Sequence, residues 1–241
     1  MANDGIRLFR TLAHPCGYFS DRMAINQVLD PESPQLAQFY ARALAHGFRR
    51  AGDAIYRPHC HTCNACVPYR IPIADFRADR AQRRTLARNQ DIAVHWRTAV
   101  PCEEHFGLYR RYLAERHTGG GMDHPSLDDY QRFLLSHWAN TWFMELRLQG
   151  ELVGAAVTDI VADAASAVYT YFDPQHAKRS LGTLAILKQI EHCRSLALPH
   201  LYLGFWIEGH PKMHYKQNLK PGQIRDESGW KAADSENTPP I

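Results

Sequence analysis

What the sequence lacks narrows its class first. No apolar run approaches the roughly 18 residues that a membrane-spanning helix needs, so none is expected. The opening Met1-Ala2-Asn3-Asp4-Gly5-Ile6-Arg7 has neither the basic nor the apolar segment of a secretory signal. Without such a signal, six cysteines point to a reducing compartment and to thiols or ligands rather than disulfides, so a cytoplasmic protein is expected. No internal repeat or low-complexity block interrupts the chain. The net charge is only +3, too small to demand nucleic acid, so where the charge lies matters more than its sum. A hydrophobic share of 45% against 22% charged residues is that of an ordinary globular protein. At 241 residues, two closely packed domains are expected, 1–98 and 99–241.

What is present is concentrated first in residues 56–73. Cys60, Cys63 and Cys66 recur at every third position, with His59 and His61 beside the first. Two-residue spacers let thiolates from one turn converge on a tetrahedral zinc ion or an iron–sulfur cluster, with a fourth ligand from Cys16, His59 or His61. The plainer alternative is a turn holding reduced thiols, two of them buried as small apolar residues.

Arg77, Arg80, Arg83, Arg84 and Arg88 then fall within twelve residues. In a helix, Arg77, Arg80, Arg84 and Arg88 share one face, a stripe suited to phosphates or carboxylates because guanidinium forks bind both in a bidentate manner. The competing reading is a solvated face with local ion pairs to Asp75, Asp79 or Asp91.

Periodicity orders the remainder. Residues 1–15 read as a loose arm, 34–50 as a helix opened by Pro34, 54–56 as a short apolar run and 67–73 as a strand, the last two flanking the cysteines. Residues 91–97 alternate as a strand, and helices are expected over 102–116 and 126–138. Between those helices, His117-Thr-Gly-Gly-Gly-Met-Asp-His124 must be loop, either closing over a substrate or simply connecting. Strands follow at 141–148, 151–161 and 165–172, the first two joined by a Gln149-Gly150 hairpin. A helix to about 197 and a strand over 200–207 come next, then a basic, aromatic segment (210–218) and a polar tail.

An antiparallel meander, a basic turn opening a helix and a further strand form the order of an N-acetyltransferase-like (GNAT-like) core. The fold class expected is therefore α+β, a mixed sheet flanked by helices, with a smaller cysteine-containing N-terminal domain. Lys178, Arg179, Gly182 and Thr183 occupy the turn, where backbone N–H groups at a helix start hold a phosphate. An ordinary strand-to-helix turn has the same composition. Of the aromatics Tyr169, Tyr171, Tyr202, Phe205 and Trp206, most are expected to face the core rather than a ligand.

Four stretches together resemble a known family. They are Cys16-Gly-Tyr; Tyr56-Arg-Pro-x-Cys60-x-x-Cys63-x-Ala-Cys66-Val-Pro-x-Arg70; Gln82-Arg83-Arg84 with Arg88-Asn89; and a C-terminal run. That run comprises Tyr169-Thr-Tyr171-Phe-Asp173-Pro174, Ser180-Leu-Gly182-Thr183, Tyr202-Leu-Gly-Phe-Trp206-Ile207 and Lys212-Met-x-Tyr215-Lys216. The chain resembles the bacterial aminoacyl-tRNA–protein transferases of the N-end rule pathway, most closely the aspartate/glutamate leucyltransferase branch. The resemblance implies transfer of leucine from leucyl-tRNA to the α-amine of proteins beginning with Asp or Glu, marking them for degradation. Arginine as donor is the alternative within the family. An acetyl-CoA-dependent N-acetyltransferase and a non-catalytic, metal-bearing tRNA-binding module are the readings outside it.

Ester-to-amine transfer runs downhill, so no cofactor is required. Eukaryotic relatives carry Cys-Gly-Tyr-Cys where this chain has Cys16-Gly17-Tyr18-Phe19, so their iron–sulfur site does not transfer ligand by ligand. Cys16, Cys60, Cys63 and Cys66 are the candidate ligands, for zinc or a cluster. With this reaction in view, Arg70, Arg83, Arg84 and Arg88, beside Gln82, are candidates for the acceptor's carboxylate. Lys178, Arg179 and Lys216, with the Gly182-Thr183 turn, are candidates for the tRNA terminus. Tyr171 and Trp206 are candidates for stacking on its terminal base, and Tyr215 and Asp173 for proton handling.

Overall fold

The computed structural model describes residues 5–116 and 124–233. Residues 117–123, most of the segment expected as a glycine-rich loop, lie outside them. In chain order the elements are β1 (Leu8–Arg10), β2 (His14–Pro15), β3 (Met23–Ala24), β4 (Asn26–Leu29), α1 (Leu36–Ala45), β5 (Arg49–Ala51), β6 (Ala54–Pro58) and β7 (Val67–Pro72). Then come α2 (Arg80–Arg88), β8 (Ile92–Thr98), α3 (Glu103–Arg116), α4 (Leu127–Leu134), β9 (Thr141–Leu148), β10 (Glu151–Val161) and β11 (Ala164–Phe172). The chain continues with α5 (Leu181–Ser195), β12 (His200–Trp206), β13 (Gln223–Asp226) and β14 (Gly229–Ala232).

Eight strands form a mixed sheet in the order β14-β13-β7-β12-β11-β10-β9-β8. It draws β7 and β8 from residues 1–98 and the rest from 99–241. Strands β9 and β10 are buried on both faces, which is why they read as near-continuous apolar runs. Successive side chains go to opposite layers: Phe143 packs with α3 and α4, whereas Met144 packs under α5. Gln149 and Gly150 both adopt positive φ (51° and 91°), as a two-residue hairpin with the twist of its strands requires. Helix α5 buries Leu184, Leu187 and Ile190 against the sheet and carries the chain from β11 to the parallel strand β12.

A second sheet, β1-β4-β6-β5, is antiparallel throughout and packs with α1 on the opposite face of the large sheet from α5. Here the structure corrects three expectations. Residues 8–10 and 14–15 pair as strands and are no loose arm. The helix expected over 34–50 stops at Ala45, because Gly47 (φ +82°) turns the chain into β5. The C-terminal segment is no mere polar tail, since β13 and β14 complete the edge of the large sheet. Their alternation is too short to stand out in the sequence.

Helix α2 begins at Arg80 with a capping box: the Asp79 side chain accepts from the Gln82 N–H and the Gln82 side chain accepts from the Asp79 N–H. Arg77 lies ahead of the helix, which shortens the predicted stripe by one member.

Candidate active site

The parallel pairing of β11 with β12 lasts only three residues, Ala164–Ser166 against His200–Tyr202. Beyond it the strands part. The register of β12 against β7 slips between Tyr202 and Phe205, around Gly204 at φ +71°, a conformation that side-chain-bearing residues rarely adopt. Arg49, from the β5–β6 hairpin, fills the apex of the resulting gap. Its Nη2 donates to the Val168 carbonyl of β11 at 3.1 Å, and a Cβ on Gly204 of β12 would stand 3.1 Å from its Nη1. The absent side chain is therefore space that Arg49 uses.

Aromatic rings surround this guanidinium. Tyr56 lies opposite it in the hairpin register, and the Tyr56 and Phe205 ring centroids are each 6.0 Å from its central carbon. Tyr18, Tyr40 and Tyr215 are close enough to act on its charge, and Tyr169 joins them from β11. Tyr215 is 45% exposed, yet the crowding around its hydroxyl removes enough water to push its pKa up to about 12. At neutral pH it is a phenol that can donate. Lys216 is buried: its Nζ donates to the Phe205 carbonyl and lies 3.4 Å from Met213 Sδ. Burial, then the Arg49 charge, lowers its pKa to about 7. Lys216 is thus no surface contact for a tRNA, as the sequence had suggested.

The neighbouring Arg50 makes the contrast. It is fully buried and meets Asp159 of β10 twice at 2.7 Å, through Nε and Nη2. It also donates to the Gly52 and Leu134 carbonyls and to Thr141 Oγ1. Alternation along β5 sends one arginine into this ion pair and the other into the gap. Among the described residues no carboxylate pairs with Arg49.

The other predicted site residues divide. Arg70 donates to Gln223 Oε1 (2.7 Å) and Tyr202 Oη (3.2 Å) and stacks over Trp230, which uses it within the sheet edge. Gln82 is spent on the capping box and on the Asn218 carbonyl. Tyr171 is fully buried, its hydroxyl among His105 Nδ1 and Tyr130 Oη, and Trp206 is 6% exposed. Neither offers a face to a base, so the stacking assignment is corrected for both. Asp173 caps the turn after β11, accepting the Gln175 N–H and an Arg111 N–H at 3.2 Å.

The rest converge. Arg88 donates to the Lys178 carbonyl, Asn89 to the Arg179 carbonyl, and Arg179 pairs with Asp91 at 2.8 Å. The C-terminal end of α2 is thereby fastened to the turn before α5, where Gly182 lies within 3.4 Å of the Phe172 ring if given a Cβ and Thr183 is half-buried. Arg83, Arg84, Arg88 and Lys178 are all exposed, Arg88 and Lys178 meeting at this junction while Arg83 donates to the Ala78 carbonyl.

Cys16 and Cys66 lie near Tyr18, and Cys66 near Lys216. Burial, then the neighbouring Cys16, Cys63 and Cys60, pushes the Cys66 thiol up to about 12. Cys63 Sγ accepts from Arg22 Nη1 (3.2 Å), Cys16 Sγ from the Tyr18 N–H (3.5 Å), and the Cys60 thiol points to the Ile25 carbonyl (3.8 Å). Among the described residues no three Cys, His, Asp or Glu side chains converge as metal ligands. Cys16, Cys60 and Cys63 all lie close enough to Cys66 to act on its thiol.

Arg49, Tyr56 and Phe205 were not predicted as site residues. The only signal was an Arg-Arg pair opening a hairpin, whose meaning depends on a strand more than a hundred residues away.

Comparison with known proteins gives this arrangement its class. FemX has a solved structure of similar fold, with TM-score 0.52 at 8% identity, covering 94% of this chain and 87% of that one. Family models for the N terminus and the C terminus of arginine-tRNA-protein transferase match residues 14–84 and 104–226. The protein is an aminoacyl-tRNA–protein transferase by class. An aspartate/glutamate leucyltransferase of Stenotrophomonas maltophilia is 50% identical over 97% of this chain and 96% of its own length. One from Hahella chejuensis is 45% identical over 92% and 95%. The chain belongs to the arginine-tRNA-protein transferase family. No helix among the described residues is long and apolar enough to cross a membrane.

Proposed function

We propose that this protein transfers leucine from leucyl-tRNA to the N-terminal α-amine of proteins that begin with Asp or Glu. One observation carries the reading: 50% identity along 97% of the chain to a protein named for that reaction. The N-acetyltransferase-like reading of the fold supports it, because the sheet opens between two parallel strands and an extended acyl donor fits such an opening. The protein acts in the cytoplasm, where charged tRNA is available.

The chemistry asks for placement more than for a cofactor. The acceptor's α-amine has an ordinary pKa of about 7.7–8.0, so part of it is neutral at pH 7. Its nitrogen attacks the ester carbonyl of the aminoacyl group, and the bond from that carbon to the ribose oxygen breaks. The amine loses one proton and the ribose oxygen gains one. Tyr215, still protonated at neutral pH and partly open to solvent, supplies a proton at that oxygen. The exposed arginines of α2 and Lys178 meet the phosphates of the tRNA stem, where sequence-independent contacts suffice. Holding the two substrates in line provides most of the acceleration.

The test is a transfer assay with purified protein, a peptide beginning with Asp, and leucyl- or arginyl-tRNA carrying labelled amino acid. Label from leucyl-tRNA is the expected result. Label from arginyl-tRNA alone would replace the donor with arginine. Label from neither would overturn the reading.

A further inference from the structure

We propose that Arg49 is the residue that selects acidic acceptors, its guanidinium binding the side-chain carboxylate of the substrate's N-terminal Asp or Glu. This rests on the transferase reading above and names the group that would give it specificity.

Four observations converge on Arg49. It keeps partial exposure, whereas Arg50 beside it is sealed. An arginine carries five N–H donors, and a single carbonyl, that of Val168, is its hydrogen-bond partner among the described residues. The fold supplies a bidentate carboxylate to Arg50 and none to Arg49. Finally, its surroundings are ring faces, which screen charge poorly and make an incoming anion's hydrogen bonds stronger than they would be in water.

The shape of the gap chooses among anions. Two residues before Val168 the flanking strands are still hydrogen-bonded, at the usual separation of about 4.8 Å. A carboxylate at the end of one or two methylenes enters such an apex. A phosphodiester flanked by two nucleosides does not, and the exposed arginines of α2 and Lys178 serve phosphates better. A neutral Asn or Gln would leave the guanidinium uncompensated, which is how a charged pocket rejects an isostere.

The experiment measures kcat and KM for peptides beginning with Asp and with Asn, at saturating leucyl-tRNA, in wild type, Arg49→Gln and Arg49→Lys. Wild type should prefer Asp strongly. Arg49→Gln should lose about 10- to 100-fold in kcat/KM for Asp, the range for hydrogen bonds to a charged group, with the Asn peptide little affected. Arg49→Lys, which keeps the charge without the fork, should fall between. Circular dichroism checks each fold, and if Arg49→Gln does not fold, the Lys variant carries the same comparison. Equal losses for Asp and Asn, or a raised KM for leucyl-tRNA alone, would overturn the assignment while leaving the transferase reading intact. A wild type inactive on both peptides would overturn the two together.

Discussion

Replacing Asp159 by Asn tests whether the Arg50 ion pair is what seats the β5–β6 hairpin in the large sheet. The Asp159 carboxylate is fully buried and accepts four hydrogen bonds: two from Arg50 at 2.7 Å, one from Tyr40 at 2.8 Å and one from Thr141 at 2.7 Å. Asn is nearly isosteric, but its amide nitrogen cannot accept, so at least one of these donors faces another donor. The Arg50 charge then stays buried on neutral acceptors alone, the carbonyls of Gly52 and Leu134 among them. Breaking a buried pair by removing one partner costs about 3–5 kcal/mol. For a chain of this size each kcal/mol lowers Tm by about 2–4 °C, so a fall of about 6–20 °C is expected. Thermal unfolding followed by circular dichroism reads it directly. Because the hairpin also carries Arg49, transfer should fall along with stability. A Tm within about 2 °C of wild type, on the same scale, would refute the idea that this pair anchors the hairpin. A double variant, Arg50→Met with Asp159→Leu, should recover most of the loss, since well-packed apolar pairs often replace buried ion pairs at little cost.

Other outcomes follow from the buried titratable groups and the site. Tyr215→Phe should lower kcat by about 10²-fold, as for loss of a general acid, with little change in KM for the peptide; an unchanged kcat removes Tyr215 from proton transfer. Burial opposes the charge on Glu145, but hydrogen bonds from Arg147 and His105 outweigh it and hold its pKa down to about 2. Burial also lowers the pKa of His105, so the neutral ring donates from Nε2 to Glu145 and accepts the Tyr171 hydroxyl at Nδ1. The folded-state pKa of Glu145 lies below its ordinary 4.5, so its contribution is present above that pH and is lost as pH falls toward 2. Denaturant titrations of Glu145→Gln should therefore show a flatter loss of stability across this window than wild type; parallel curves would refute the linkage. Lys216 has the same sign of pH dependence from a different cause, the burial of a charge rather than its pairing. Its pKa falls from 10.5 to about 7, so its burial costs stability increasingly as pH drops from 10.5 to 7. Lys216→Met should exceed wild-type stability near pH 6 and match it near pH 10.5; a constant difference would mean the amine does not titrate on unfolding.

The sequence by itself determined the run of elements from residue 141 to 206 and the family. The apolar runs over 141–172, the Gln149-Gly150 turn and the apolar stripe of α5 are local signals, since each depends on residues close together in the chain. The motif order from Cys16 to Lys216 identified the family because it needs no contacts to be read. The basic stripe of α2 was equally visible, and its meeting with Lys178 follows from the Arg88 and Asn89 hydrogen bonds to a turn 90 residues on. Tertiary structure alone decided which polar residues are spent on holding the fold. Arg70, Gln82, Tyr171 and Lys216 look available in one dimension, and distant partners engage or enclose each of them. Arg49 and Arg50 are chemically identical neighbours in the sequence. Only the pleat of β5 against two parting strands gives one a buried carboxylate and leaves the other partly exposed.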